Sequence, residues 1–126
     1  MKIDFTRTIT AEAKAERVKA RELDRITARR NAALSSGATI GGVSIHTDDV
    51  SQQRIVGAAL AATLDPEITV NWKCADGTFV TLDASTIIAI AQAVRAHVQC
   101  CFDREAELLD ALAAGEAYDI DAGWPA

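Results

Sequence analysis

Large aromatic residues are scarce: phenylalanine, tryptophan and tyrosine make up 5% of the 126 residues, although 49% of the chain is apolar. Alanine supplies much of that fraction, so the core is expected to be helix-rich and thin-layered. Trp72, Phe79 and Phe102 are its expected large anchors. Cysteine is rare too. Cys74, Cys100 and Cys101 are odd in number, which excludes a closed disulfide framework. Cys100 and Cys101 would point about 100° apart on a helix, badly placed to bond each other. All three are read as small buried or half-buried hydrophobes. No apolar run is long enough to cross a bilayer. The opening Met1-Lys2-Ile3-Asp4-Phe5 lacks the apolar stretch of a secretory signal, so folding in a cytosol is expected.

The charge present is unevenly placed. The net value of −5 combines +4 over residues 1–35, with nine Lys/Arg against five Asp/Glu, and −9 over residues 36–126, with four against thirteen. A basic arm on an acidic body suits head-to-tail contacts between copies, or a partner with its own charge pattern. Nucleic-acid binding by the arm is disfavoured. Glu12, Glu16, Glu22 and Asp24 dilute its cations, and no aromatic residue is interleaved among them.

Residues 10–34 hold neither glycine nor proline and read as one helix, capped by Thr8 or Thr10 and ended by Ser35-Ser36-Gly37. Val18, Leu23, Ile26 and Leu34 form only a narrow apolar stripe. Such a helix packs lightly on its own domain or pairs with another helix. Gly41-Gly42 between short β-prone runs predicts a hairpin over 38–46. Asp48 or Asp49 then caps a helix that runs to about Leu64, with Ile55, Ala58, Ala59 and Ala62 inward, and Asp65-Pro66 stops it.

In the second hairpin, Ile68, Val70 and Trp72 alternate with polar residues, as in a half-buried strand. A two-residue turn at Asp76-Gly77 would throw Val80 and Leu82 onto the opposite face. A three-residue loop, Ala75-Asp76-Gly77, pairs Trp72 with Val80 and Val70 with Leu82, and puts Gly77 where positive φ is needed. Asp83 caps a final helix over roughly 84–113, ended by Gly115. Its apolar positions Ile87, Ala91, Val94, Val98, Cys101, Leu108 and Leu112 make a 4-3 seam broken once, by Glu105. The half beyond Glu105 is free to leave the domain and meet another chain. The expected fold is α+β: an N-terminal helical arm (1–36), then a small domain (37–126) of two hairpins forming a small antiparallel sheet packed by two helices. No internal repeat aligns.

Reactive groupings are missing as well. His46-Thr47-Asp48-Asp49 has metal-capable side chains, but His97, the other histidine, stands alone mid-helix as a partly exposed residue. Asp119 and Asp121 lack the further oxygens of a calcium loop and the aromatic groove of a sugar site. There is no nucleophile elbow and no phosphate-cradling loop. No catalytic, cofactor or metal residue is assigned, and the chain is expected to bind rather than catalyse. Trp124-Pro125 either packs on the chain's own surface or docks into a partner.

The block Trp72-Lys73-Cys74-Ala75-Asp76-Gly77-Thr78-Phe79-Val80-Thr81-Leu82-Asp83-Ala84, followed by a helix with Gln92, Ala93, His97 and Val98, resembles a domain family of unknown function encoded at bacteriophage and prophage tail-fibre loci. The opening Gly41-Gly42-Val43-Ser44-Ile45-His46-Thr47-Asp48 and the closing Ile120-Asp121-Ala122-Gly123-Trp124-Pro125 are similar to that family too, so the likeness spans roughly residues 38–125. The resemblance implies a structural tail protein of the virion (fibre, tip or baseplate) assembled in the host cytoplasm. Its implied partners are other tail proteins, with no membrane contact. Alternatives are a fibre-assembly chaperone absent from the particle and a carbohydrate-binding or -cleaving tip. The residues expected to meet a partner, or a second copy through helical segments, are Val18, Leu23, Ile26, Leu108, Leu112 and Trp124.

Overall fold

The computed structural model describes residues 5–125, with side chains from residue 10 onward. Helix α1 (Phe5–Leu34) leads into hairpin β1 (Ala38–Ile40) and β2 (Val43–Ile45). Helix α2 (Asp49–Leu64), hairpin β3 (Thr69–Lys73) and β4 (Phe79–Asp83), and helix α3 (Ala84–Ala114) follow. The architecture is α+β, as expected. The two hairpins stay separate two-stranded sheets, without merging into one. They are joined side by side where the Ala75 amide donates to the Ser44 carbonyl (2.9 Å).

Both turns follow from glycine. Gly41 and Gly42 take φ of +57° and +80°, the double positive pair that a two-residue hairpin requires. In the second hairpin Trp72 faces Val80 and Val70 faces Leu82, so the three-residue loop is present and Gly77 closes it at φ +88°. That register puts Val70, Trp72, Val80 and Leu82 on one face, over a core of Ile45, Ile55, Ala62, Ala84, Ile87, Ile90 and Val94. The same alternation turns Phe79 outward, 61% exposed. Phe79 is therefore not a core anchor. Phe102 is not one either: it is 42% exposed, with the Arg30 guanidinium 5.2 Å above its ring. Cys74 and Cys101 are buried, whereas Cys100 is exposed.

Helix ends are set by the expected residues, with one exception. The Asp48 carboxylate accepts from the Ser51 amide and hydroxyl, and Asp83 accepts from the Thr86 amide (2.9 Å) and the Ser85 hydroxyl (3.1 Å). Gly115 ends α3 at φ +70°. The exception is α1, which begins at Phe5, so Thr8 and Thr10 lie inside the helix and do not cap it. The hydrogen bonds from Ser51 and Thr86 hold Asp48 and Asp83 below their ordinary carboxylate range. A depressed folded value means stability that is complete above the unfolded value and lost as pH falls through the folded one. Denaturant melts should therefore show stability declining below about pH 4. Asp83→Asn keeps a capping side chain but cannot titrate, so its decline between pH 5 and pH 3 should be shallower than that of the parent.

The largest departure from expectation is in α3. Its buried line runs Ala84, Ile87, Ile90, Val94, His97, Cys101 and Leu108. His97 is 6% exposed, and its Nε2–H donates to the Ala33 carbonyl at 3.0 Å. It is a buried link to α1, not a partly exposed helix residue. Glu105, the apparent flaw in the seam, receives Arg30 of α1 through both carboxylate oxygens, at 3.0 and 2.7 Å. The half of α3 beyond Glu105 does not leave the domain, because Leu108 is 0% exposed. The second half of α1 contributes Ile26 and Ala33 to the same seam. Of the two courses expected for α1, it takes the second and pairs with another helix, α3. Helix α3 is thus a spine shared by α2 and the hairpins on its first half and by α1 on its second.

Candidate functional site

Of the residues expected to meet a partner, Val18 and Leu23 are exposed (50% and 39%) and Leu112 is half-buried. Ile26 and Leu108 are each 0% exposed and belong to the seam between α1 and α3. A residue already packed against its own chain cannot face another without unfolding, so these two are removed from the candidate surface.

Trp124 is half-buried in the closing segment, residues 116–125, which folds back onto α1 and α3. Its Nε1–H donates to the Ile120 carbonyl (2.7 Å), and the Arg29 guanidinium sits 5.2 Å from the centre of its ring. Arg104 of α3 donates to the carbonyls of Ala122 (2.7 Å) and Asp119 (3.1 Å), and Arg29 reaches Asp121 (3.2 Å). Tyr118 donates to Glu22 at 2.5 Å. That bond raises the Tyr118 phenol above its usual range and, aided by Arg25, lowers the Glu22 carboxyl below its own. Asp119 and Asp121 are accordingly a turn and an ion-pair partner. Gly123 is required here: at φ +85°, an added Cβ would lie 2.5 Å from Arg104 Nε. Gly123→Ala should release the segment. In a Trp72→Phe background, Trp124 fluorescence should shift to the red, with a stability loss of about 1–2 kcal/mol.

Half of the exposed large hydrophobic residues among those described, Val50, Val56, Leu60 and Leu64, lie on α2. Between α2 and α3 runs a groove of about 510 Å³, walled by Val56, Leu60 and Thr63 on one side and by Ile88, Arg95 and Val98 on the other. Its floor includes Ile55, Ala59, Ala91 and Val94. Val56 is 66% exposed, Leu60 60%, and Leu64 at the end of α2 76%. Reading only the inward stripe of α2 misses this surface. The available signal was Val56, Leu60 and Leu64, four residues apart, a second apolar line beside the first. On α3, Ala91 and Val98 belong to this groove, while Ile90 and His97 take the buried line.

No group of three or more His, Cys, Asp or Glu side chains converges as a metal site among the described residues. His46 is exposed in a smaller hollow of about 180 Å³ that it shares with Arg54 and Lys73, cations that would oppose a metal ion. Among the described residues, no helix is long and apolar enough to cross a membrane.

The family model of the domain of unknown function DUF4376 matches residues 17–123. The chain belongs to that family. The matched span includes the second half of α1 and most of the closing segment, so the family's unit takes in the α1–α3 seam as well as the hairpins and α2. No curated protein and no solved structure matches the chain.

Proposed function

We propose that this chain is a structural component of a bacteriophage tail, in the fibre, tip or baseplate, and that it acts by binding other proteins. The observation that carries the binding reading is the open apolar groove between α2 and α3, with Val56 and Leu60 mostly exposed. Contiguous exposed apolar surface on a small domain marks an interaction site more often than chance allows. The tail assignment rests on the likeness of the block Trp72–Ala84 and of the glycine-led and Trp-Pro segments to proteins of tail-fibre loci. In α1, every residue from Thr10 to Arg21 is exposed apart from half-buried Ala13. This basic stretch offers a second surface, through which the chain would attach to a neighbouring tail protein.

A fibre-assembly chaperone is the second reading, since an apolar groove also suits transient capture of an unassembled partner. Mass spectrometry of purified particles separates the two. Stoichiometric amounts of the chain in washed particles support the structural role. Presence during assembly but absence from finished particles would assign it to the chaperone class.

A further inference from the structure

We propose that the α2–α3 groove is covered by the same face of a second copy of this chain, giving a two-fold symmetric dimer. The proposal rests on the reading of that groove as a binding surface and names its occupant. Helix α2 is apolar nearly all round from Ile55 to Leu64, a run with no charged residue and with Thr63 as its only polar side chain. Helices of that kind are buried on every side. In one copy, α3 covers only the face of Ile55 and Ala62, and Val56, Leu60 and Leu64 stay in solvent.

Charge leaves this face open to a second copy. The body carries −9, which drives copies apart wherever acidic faces meet. Between Asp49 and Leu64, and between Ala84 and Phe102, the only charged side chains are Asp49, Arg54 and Arg95. This layer is therefore a part of the body on which two copies can meet with little repulsion. In that arrangement a two-fold axis would set the Val56 and Leu60 side of each copy's groove against the other copy's groove.

Size is sufficient. A helix of 16 residues is about 24 Å long, and two adjacent helices of that length present on the order of 500 Å² per copy. The pair would bury about 1,000 Å², the lower bound for a specific interface, so a micromolar dimer is expected.

Sedimentation equilibrium of the full chain, from low micromolar to about 500 µM, tests the proposal. The chain should pass from monomer to dimer and stop there. Leu60→Glu should weaken the dimer at least 30-fold, roughly the loss of one hot-spot residue, without lowering the melting temperature of the monomer. Should Leu60→Glu fail to fold, the near-isosteric Val56→Thr should still weaken association measurably. On dilution, amide resonances of residues 52–63 and 88–98 should shift while those of 22–34 stay in place. A strict monomer at the highest concentration overturns the dimer, as does a dimer indifferent to both substitutions. Amide shifts in the groove only on adding another tail protein would give the groove to that partner and overturn it too. Particle proteomics is unaffected by any of these results, so the tail assignment is tested separately.

Discussion

Truncating Ile26 to alanine should lower the unfolding free energy by about 3 kcal/mol, and Leu108→Ala should do the same. Both side chains are 0% exposed, one on each side of the α1–α3 seam, and neither has solvent to collapse into. For a domain whose whole stability is typically about 5–15 kcal/mol, either loss is large. Val18→Ala, on the exposed first half of the same helix, should change stability by less than about 0.5 kcal/mol. Urea melts of the three variants read this directly. If α1 were an independent arm, Ile26→Ala would behave like Val18→Ala. The contrast also sets where the chain can be cut. Removing residues 1–36 would strip Ile26, Arg30 and Ala33 from α3 and leave Leu108, Cys101 and His97 facing water. Removal of residues 1–20 spares all of them.

Replacing Arg30 with methionine should cost about 2–3 kcal/mol, more than an exposed ion pair is worth. The Arg30 and Glu105 side chains are only 21% and 14% exposed, so the carboxylate left behind is poorly hydrated. Arg30 also spans Asn31 Oδ1 and the Phe102 ring, which gives its loss a packing component. Arg30→Met combined with Glu105→Leu should recover much of the deficit, because an apolar pair of similar volume needs no desolvated charge. A double-mutant cycle by chemical denaturation should give a coupling of at least about 1 kcal/mol. A coupling near zero would mean that the pair is solvated and holds nothing.

The locally determined features of this fold are legible in the sequence. Gly41-Gly42, the Gly77 loop with its Trp72–Val80 register, the Asp48 and Asp83 caps and the Gly115 terminus all act within a few residues, through φ preference or a side chain reaching the next turn. What was not legible depends on which helix faces which. His97 and Glu105 look like blemishes on an apolar seam when α3 is read alone. They are the two positions at which α1 supplies a partner, the Ala33 carbonyl and Arg30. Nothing within eight residues of either position could reveal that. Trp124 is similar, since its cover comes from Arg29, far away in the chain. The candidate binding surface was hidden for a different reason. Ile55, Ala58, Ala59 and Ala62 make a helical stripe that accounts for one face of α2, and the Val56–Leu60–Leu64 line lies beside it.

These placements change which surface is offered to a partner. Ile26 and Leu108, apolar helix positions expected to meet a partner, serve the fold's own cohesion. Among the described residues, Val56, Leu60 and Leu64 expose a run of apolar surface on α2, and the basic stretch of α1 is exposed as well.

Native-state hydrogen exchange along α1 gives the most direct test of this division of labour. Amides of residues 23–34 should be as strongly protected as those of α3 from Val94 to Leu108 and should open together with them, while amides of residues 10–20 exchange far faster. Uniformly fast exchange from residue 10 to residue 34, beside a protected α3, would contradict it and make α1 a detachable arm.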